Sequence, residues 1–178
     1  LRKILGRYLH RDPAELKFSL NQYEKPALVN SALEFNLSHS GDFALIAITQ
    51  GRKIGVDVER VRQGISSHVI ARQYFSKSEV AELQSLPIEQ RETAFFTCWT
   101  RKEAYIKAQG LGLSLPLESF DVSLAPGHPA ILRAPRPDLQ ESAHWMLCSL
   151  DVDPNYAGAV AVEGTALDFR LFSFQMSS

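Results

Sequence analysis

The sequence predicts an α+β fold, and three observations carry that reading. Apolar residues recur at helical spacing over residues 1–9 and again between Ser66 and Gly110. Alternating or β-rich runs fill much of residues 17–61 and of the chain beyond Gly110. The order helix, strands, helices, strands lacks the regular alternation of a parallel α/β protein.

LRKILGRYL places Leu1, Ile4, Leu5, Tyr8 and Leu9 on one helical face, and Asp12-Pro13 stops or restarts the chain. KFSLNQY alternates as a strand with Phe18, Leu20 and Gln22 on one side. EFNLSHSGD reads as a short strand running into a loop, its Ser, His and Gly belonging to the loop end. FALIAITQ and IGVDVERV flank the turn at Gly51 and form a hairpin or a crossing between sheets. Ser76 followed by Glu79 is a capping box for KSEVAELQSL. Pro87 opens the longest helix, IEQRETAFFTCWTRKEAYIKAQ, and Gly110 is placed to end it. Beyond it, FDVSL, AILRA, HWMLCSL, YAGAVAV and DFRLFSF are strand-like. The first residue, Leu1, already lies inside a helical pattern, so a preceding segment is expected.

Composition narrows the function. With 178 residues the chain can hold one sizeable core or two small packed lobes. At 45% apolar and 22% charged it is ordinary globular material. A formal charge of −1 gives no basic field for nucleic acid, so an anionic ligand needs a local cluster of cations. Runs such as FALIAI are too short to span a bilayer, and no membrane partner is expected. Cys98 and Cys148 offer neither a disulfide framework nor zinc spacing, which suits a reducing, cytoplasmic compartment.

Three segments carry chemistry. In GVDVER, strand alternation turns Asp57 and Glu59 the same way while Val56 and Val58 face the core. Two adjacent carboxylates want a cation between them, and a hard divalent ion such as Mg²⁺ suits oxygen donors; on the pair alone, the wet face of an amphipathic strand is the stronger reading. In WTRKEAYIK, Trp99, Glu103 and Lys107 form a line at four-residue spacing, with Lys102 adjoining it. That line is either a phosphate and metal site or a solvent stripe. In FNLSHSGD, Ser38, His39 and Ser40 are a polar trio that could contact phosphate or simply knit a turn.

In this order, FNLSHSGD, IGVDVERV and FSKSE followed by FFTCWTRKEAYIKAQGLGLSLPLESFDV resemble the phosphopantetheinyl transferases of the broad-specificity, surfactin-synthetase-activating type. LKFSLNQYEKPAL is similar to the stretch that carries a GKP motif there, with Glu24 in place of the glycine. The match runs from Leu1 to the C-terminus and is strongest from Phe35 to Val122. The resemblance implies two similar α+β lobes in pseudo-twofold arrangement, with coenzyme A in the cleft between them. Residues 1–53 would form an N-terminal lobe shortened at its start, and residues 54–178 a C-terminal lobe carrying the metal site.

It also implies roles for single residues. Asp57, Glu59 and Glu103 would hold Mg²⁺ against the pyrophosphate of coenzyme A, and Glu103 would be the general base. Lys107 and Lys102 would contact the pyrophosphate, and Trp99 would hold the helix and its base in position. Lys25, His39 and Arg2 would take the 3′-phosphate and adenosine end, with Ser38 as a neighbouring contact. The acceptor would be an apo acyl or peptidyl carrier protein, and the enzyme a monomer. The segment Ile65 to Phe75, with Arg72 as its cation, is a candidate docking surface for it, though an ordinary amphipathic helix is the stronger reading of that segment. Two other readings use the same residues: a metal-dependent phosphoester hydrolase, and a non-catalytic module that binds coenzyme A or a carrier protein.

Overall fold

In the computed structural model, which describes residues 1–64, 67–125, 127–133, 144–165 and 167–174, the chain begins with α1 (Arg2–Leu9). Leu5 is fully buried and joins Leu16, Leu28 and Phe35 in a small N-terminal core, against which Leu9 and Phe18 pack. Leu1 and Tyr8 of the expected apolar face stay exposed. β1 (Phe18–Leu20) pairs antiparallel with β2 (Pro26–Leu28). The strand is shorter than its alternation suggests because Asn21 starts a turn, its Oδ1 accepting from the amides of Tyr23 at 2.8 Å and Lys25 at 2.9 Å. In that turn Glu24 has φ 64°, a left-handed conformation natural to glycine.

β3 (Leu33–Ser40) and β4 (Phe43–Gln50) form an antiparallel hairpin, closed by Gly41 at φ 55°. Ser38, His39 and Ser40 therefore lie on the strand itself, not on the expected loop. β5 (Ile54–Arg60) does not pair with β4. It crosses into a second sheet of order β5-β9-β8, built with β8 (Trp145–Ser149) and β9 (Tyr156–Glu163). β6 (Asp121–Val122) and β7 (Leu132–Arg133) make a minimal pair, so AILRA is mostly not strand, and its last residue lies outside the described ones. DFRLFSF forms no strand and leaves Phe169, Leu171, Phe172 and Phe174 exposed.

Three helices follow β5: α2 (Ser67–Tyr74), α3 (Lys77–Ser85) and α4 (Ile88–Gln109). The capping box at Ser76 and Glu79 is formed, and Gly110 ends α4 at φ 69° with its amide on the Ile106 carbonyl. α4 lies on the sheet, and the main core gathers Ala104, Ala108, Phe95, Leu147, Ala159 and Ala161 among others. Its closest approach is at Gly55, where a Cβ would overlap the carbonyl oxygen of Ala104 and the amide nitrogen of Ala108. The opposite face of β5 packs Ile54 and Val56 with Val160 and Val162 toward Leu45 and Ala47 of β4. No helix among the described residues is long and apolar enough to cross a membrane.

Two cations of α4 are built into the core. Arg101, 2% exposed, donates to Ser123, Ser149 and the His128 carbonyl. Lys102, 0% exposed, pairs with Glu79 at 2.8 Å and donates to the carbonyls of Leu117 and Phe120. Glu79 is in turn shared with the amides of Ser76 and Val122. This corrects the expectation that Lys102 contacts a pyrophosphate: its ammonium is spent inside the protein and has no solvent face.

Lys102→Ala strands Glu79 as a buried charge and should cost about 3–5 kcal/mol in urea unfolding; a loss below about 1 kcal/mol would contradict this pair. Glu24→Gly relieves a left-handed residue and should raise stability by about 1 kcal/mol, read as a higher melting temperature.

Candidate active site

The site is built where β5 and α4 meet. Gly55, Asp57 and Glu59 share the face of β5 that α4 covers, and the missing side chain at Gly55 lets the helix backbone come down onto the strand. One helical turn separates Glu103 from Lys107, which places both beside the strand's acids. Lys107 Nζ donates to Asp57 Oδ1 at 2.6 Å and to Ser38 Oγ at 3.1 Å. Among the described residues the ion pairs are this one and Lys102–Glu79.

Asp57 is 2% exposed, and burial raises its carboxyl above the ordinary range even though Lys107 and the Ser38 hydroxyl pull it down. Its Oδ1 is fully used, by Ser38 at 2.7 Å and by Lys107, whereas its Oδ2 is buried with no partner. An orphaned carboxylate oxygen in a protein interior is uncommon. Glu103 is also raised, first by burial and then by the charge of Asp57, with Glu59 adding and Lys107 opposing. Three carboxylates thus stand within electrostatic reach of one another and face one ammonium. Among the described residues no group of three His, Cys, Asp or Glu side chains is spaced to hold a metal ion by itself.

The other expected contacts are distributed differently. Ser38 is 7% exposed and belongs to the acid cluster, bonded to both Asp57 and Lys107. His39 is exposed and turned to the opposite face of β3 by strand alternation. Lys25 Nζ donates to the carbonyls of Ile54 at 3.0 Å and Ala108 at 3.1 Å, tying the β1–β2 turn to the start of β5 and the end of α4. Asn21 reinforces that tie through the Gly110 carbonyl at 2.8 Å. Arg2 is held by its own neighbourhood: Nη1 bonds the carbonyls of Pro13 and Leu16, and the guanidinium covers the Phe18 ring. Trp99 packs its ring among Tyr74, Phe75 and Phe95, so it anchors α2 to α4 four residues before Glu103.

The sequence leaves Asn36 unassigned and offers Ser40 only as one of a polar trio. Ser40 Oγ donates to Glu59 Oε2 at 2.8 Å, and Asn36 Oδ1 accepts from the Val56 amide at 2.9 Å. Their signal is the polar alternation Asn36, Ser38, Ser40 opposite Phe35 and Leu37.

Comparison with known proteins gives the family. The 4′-phosphopantetheinyl transferase superfamily matches residues 53–161. The 4′-phosphopantetheinyl transferase HetI of Nostoc sp. is 41% identical over 92% of this chain and 68% of its own length. The 4′-phosphopantetheinyl transferase Sfp of Bacillus subtilis is 32% identical over 90% of this chain and 69% of its own. The matched region contains every acid and the ammonium that meet between β5 and α4, and the chain belongs to the 4′-phosphopantetheinyl transferase superfamily.

Proposed function

We propose that this transferase moves the 4′-phosphopantetheine group of coenzyme A to a serine hydroxyl of an apo acyl or peptidyl carrier protein, releasing 3′,5′-adenosine bisphosphate. The observation that carries the site assignment is the meeting of Asp57, Glu59 and Glu103 with Lys107, together with the unpartnered Oδ2 of Asp57. Three carboxylates against one ammonium repel a diphosphate unless a cation joins them.

Oxygen donors of this kind fit Mg²⁺, which takes one or two carboxylates and completes its shell with water and phosphate oxygens. When bound, the ion supplies charge neutralisation at the diphosphate. Asp57 and Glu59 would hold it from β5, and Glu103 from α4. Glu103 would also take the proton from the carrier serine as its oxygen attacks phosphorus. Burial and the neighbouring acids raise its affinity for that proton. Lys107, its side chain 29% exposed, would turn a donor toward the charge developing on the diphosphate. No covalent enzyme intermediate is needed: attack forms one oxygen–phosphorus bond as the bond to the adenosine bisphosphate breaks.

Coenzyme A would lie in a groove between an N-terminal lobe, residues 1–53, and a C-terminal lobe, residues 54–178. Exposed His39 would face its 3′-phosphate end, with Lys25 and Arg2 contributing at the same end through donors their own carbonyl partners leave over. The carrier would dock on α2, where Val69 and Arg72 are both exposed. Ile65 and Ser66 of the expected docking segment lie outside the described residues. The setting would be a cytoplasmic monomer.

Glu103→Gln should lower kcat by about 10²–10⁴-fold and leave coenzyme A binding largely intact, with product read by intact mass of the carrier. Because the base must be ionised, wild-type kcat should fall at the acid end of its pH profile, and the variant should lose that limb. Full activity of Glu103→Gln would remove it as base. Arg72→Glu should raise the Michaelis constant for the carrier roughly tenfold while that for coenzyme A stays put; an unchanged carrier constant would move the docking surface elsewhere.

A further inference from the structure

β5 is the outer strand of its sheet, and β3 runs beside it without a main-chain ladder. The amides on that outer edge are met by side chains instead. Asn36 Oδ1 accepts from Val56 at 2.9 Å, Ser38 Oγ from Val58 at 3.4 Å, and Ser40 Oγ from Arg60 at 3.1 Å. Each rung joins residues 20 apart in the chain, and the rungs advance by two, as strand alternation requires.

The two serine rungs have a second half. A hydroxyl owns one proton, and an amide can only donate to it, so the proton of each serine is left to be passed on. Ser38 gives it to Asp57 Oδ1 at 2.7 Å and Ser40 gives it to Glu59 Oε2 at 2.8 Å, each acid lying 19 residues further on. The corresponding partner of Asn36 would be Gly55, which has no side chain, and there an acceptor alone suffices. The relay from amide through hydroxyl to carboxylate therefore occurs only where β5 carries an acid.

We propose that Ser40 is a positioning residue for Glu59, and that β3 thereby sets the orientation of the acids that β5 contributes. Glu59 is less enclosed than Asp57 and lacks the hold of Lys107 that Asp57 has, so the Ser40 hydroxyl is the group that fixes one of its oxygens. Ser38 cannot test the idea cleanly, because it also touches Lys107. The inference rests on the reading of Asp57, Glu59 and Glu103 as a divalent-cation site.

The experiment compares wild type, Ser40→Ala and Ser40→Thr, with Mn²⁺ as probe. Metal affinity is followed by electron paramagnetic resonance, and exchange of the Arg60 amide by NMR. Ser40→Ala should weaken Mn²⁺ binding roughly tenfold, the size of effect seen when a group orienting a metal ligand is removed. It should speed exchange at Arg60 and keep kcat within about twofold of wild type once the metal is saturating. Ser40→Thr, which keeps the hydroxyl, should restore both affinity and protection. A Ser40→Ala protein that binds Mn²⁺ as wild type does would overturn the proposal, even if it melts earlier, because a purely structural serine would lower stability alone. Wild-type protein that takes up no Mn²⁺ would fell the cation-site reading itself and the proposal with it.

Discussion

The close approach of α4 to β5 is the constraint on which the rest of the site depends. Acidic side chains on a strand and charged side chains on a helix can meet only if the helix axis comes unusually near the strand, and a side chain at position 55 would hold them apart. Gly55 removes that obstacle, so the Ala104 carbonyl and the Ala108 amide rest directly against the strand backbone. The alanines at 104, 108, 159 and 161 extend the same flat contact on both sides. Small residues here act as the spacing that places Glu103 and Lys107 beside Asp57, at the margin of the helix where the contact opens.

The same helix shows how one element can serve both stability and chemistry. Arg101 and Lys102 precede Glu103 in sequence yet point inward, where every donor meets a carbonyl, a hydroxyl or Glu79. Successive helical residues are turned by about 100°, so a run of charges must divide among faces. Glu103 and Lys107, a full turn apart, face β5. The buried pair can be stable because Glu79 is also held by two amides and Lys102 by two carbonyls, which satisfies nearly all of their polar capacity. By contrast the site keeps one carboxylate oxygen of Asp57 unpaired, a local cost of the kind found where a ligand is meant to complete the arrangement.

What could be read from the sequence followed from short-range periodicity. The capping box at Ser76, the end of α4 at Gly110, the common face of Asp57 and Glu59 and the turn-to-turn spacing of Glu103 and Lys107 are all local and all present. Failures arose where a distant partner decides. Nothing near Lys102 says that Glu79 will be waiting for it in the core. DFRLFSF alternates well enough for a strand, but it pairs with none of the described strands, and an unpaired extended segment is not a strand. Ser38 and Ser40 look like turn residues because serine usually competes with regular structure for backbone bonds. Here their hydroxyls serve the amides of another strand, which leaves their own backbone free to pair with β4.

That arrangement makes register between β3 and β5 unusually consequential. In a sheet joined by backbone bonds, a slip of one residue exchanges the two faces of a strand. Between these two strands it would also present Leu37 and His39 to the amides now served by Ser38 and Ser40. It would strip the proton donors from Asp57 and Glu59 at the same stroke. The register is guarded from several directions. Phe35, on the other face of β3, is locked in the N-terminal core, and Lys25 clamps the chain upstream to the first carbonyl of β5 and the last turn of α4. Those anchors touch no acid. They nevertheless fix where the serine hydroxyls fall, so the packing of the N-terminal segment and the direction in which the carboxylates point are one problem in geometry.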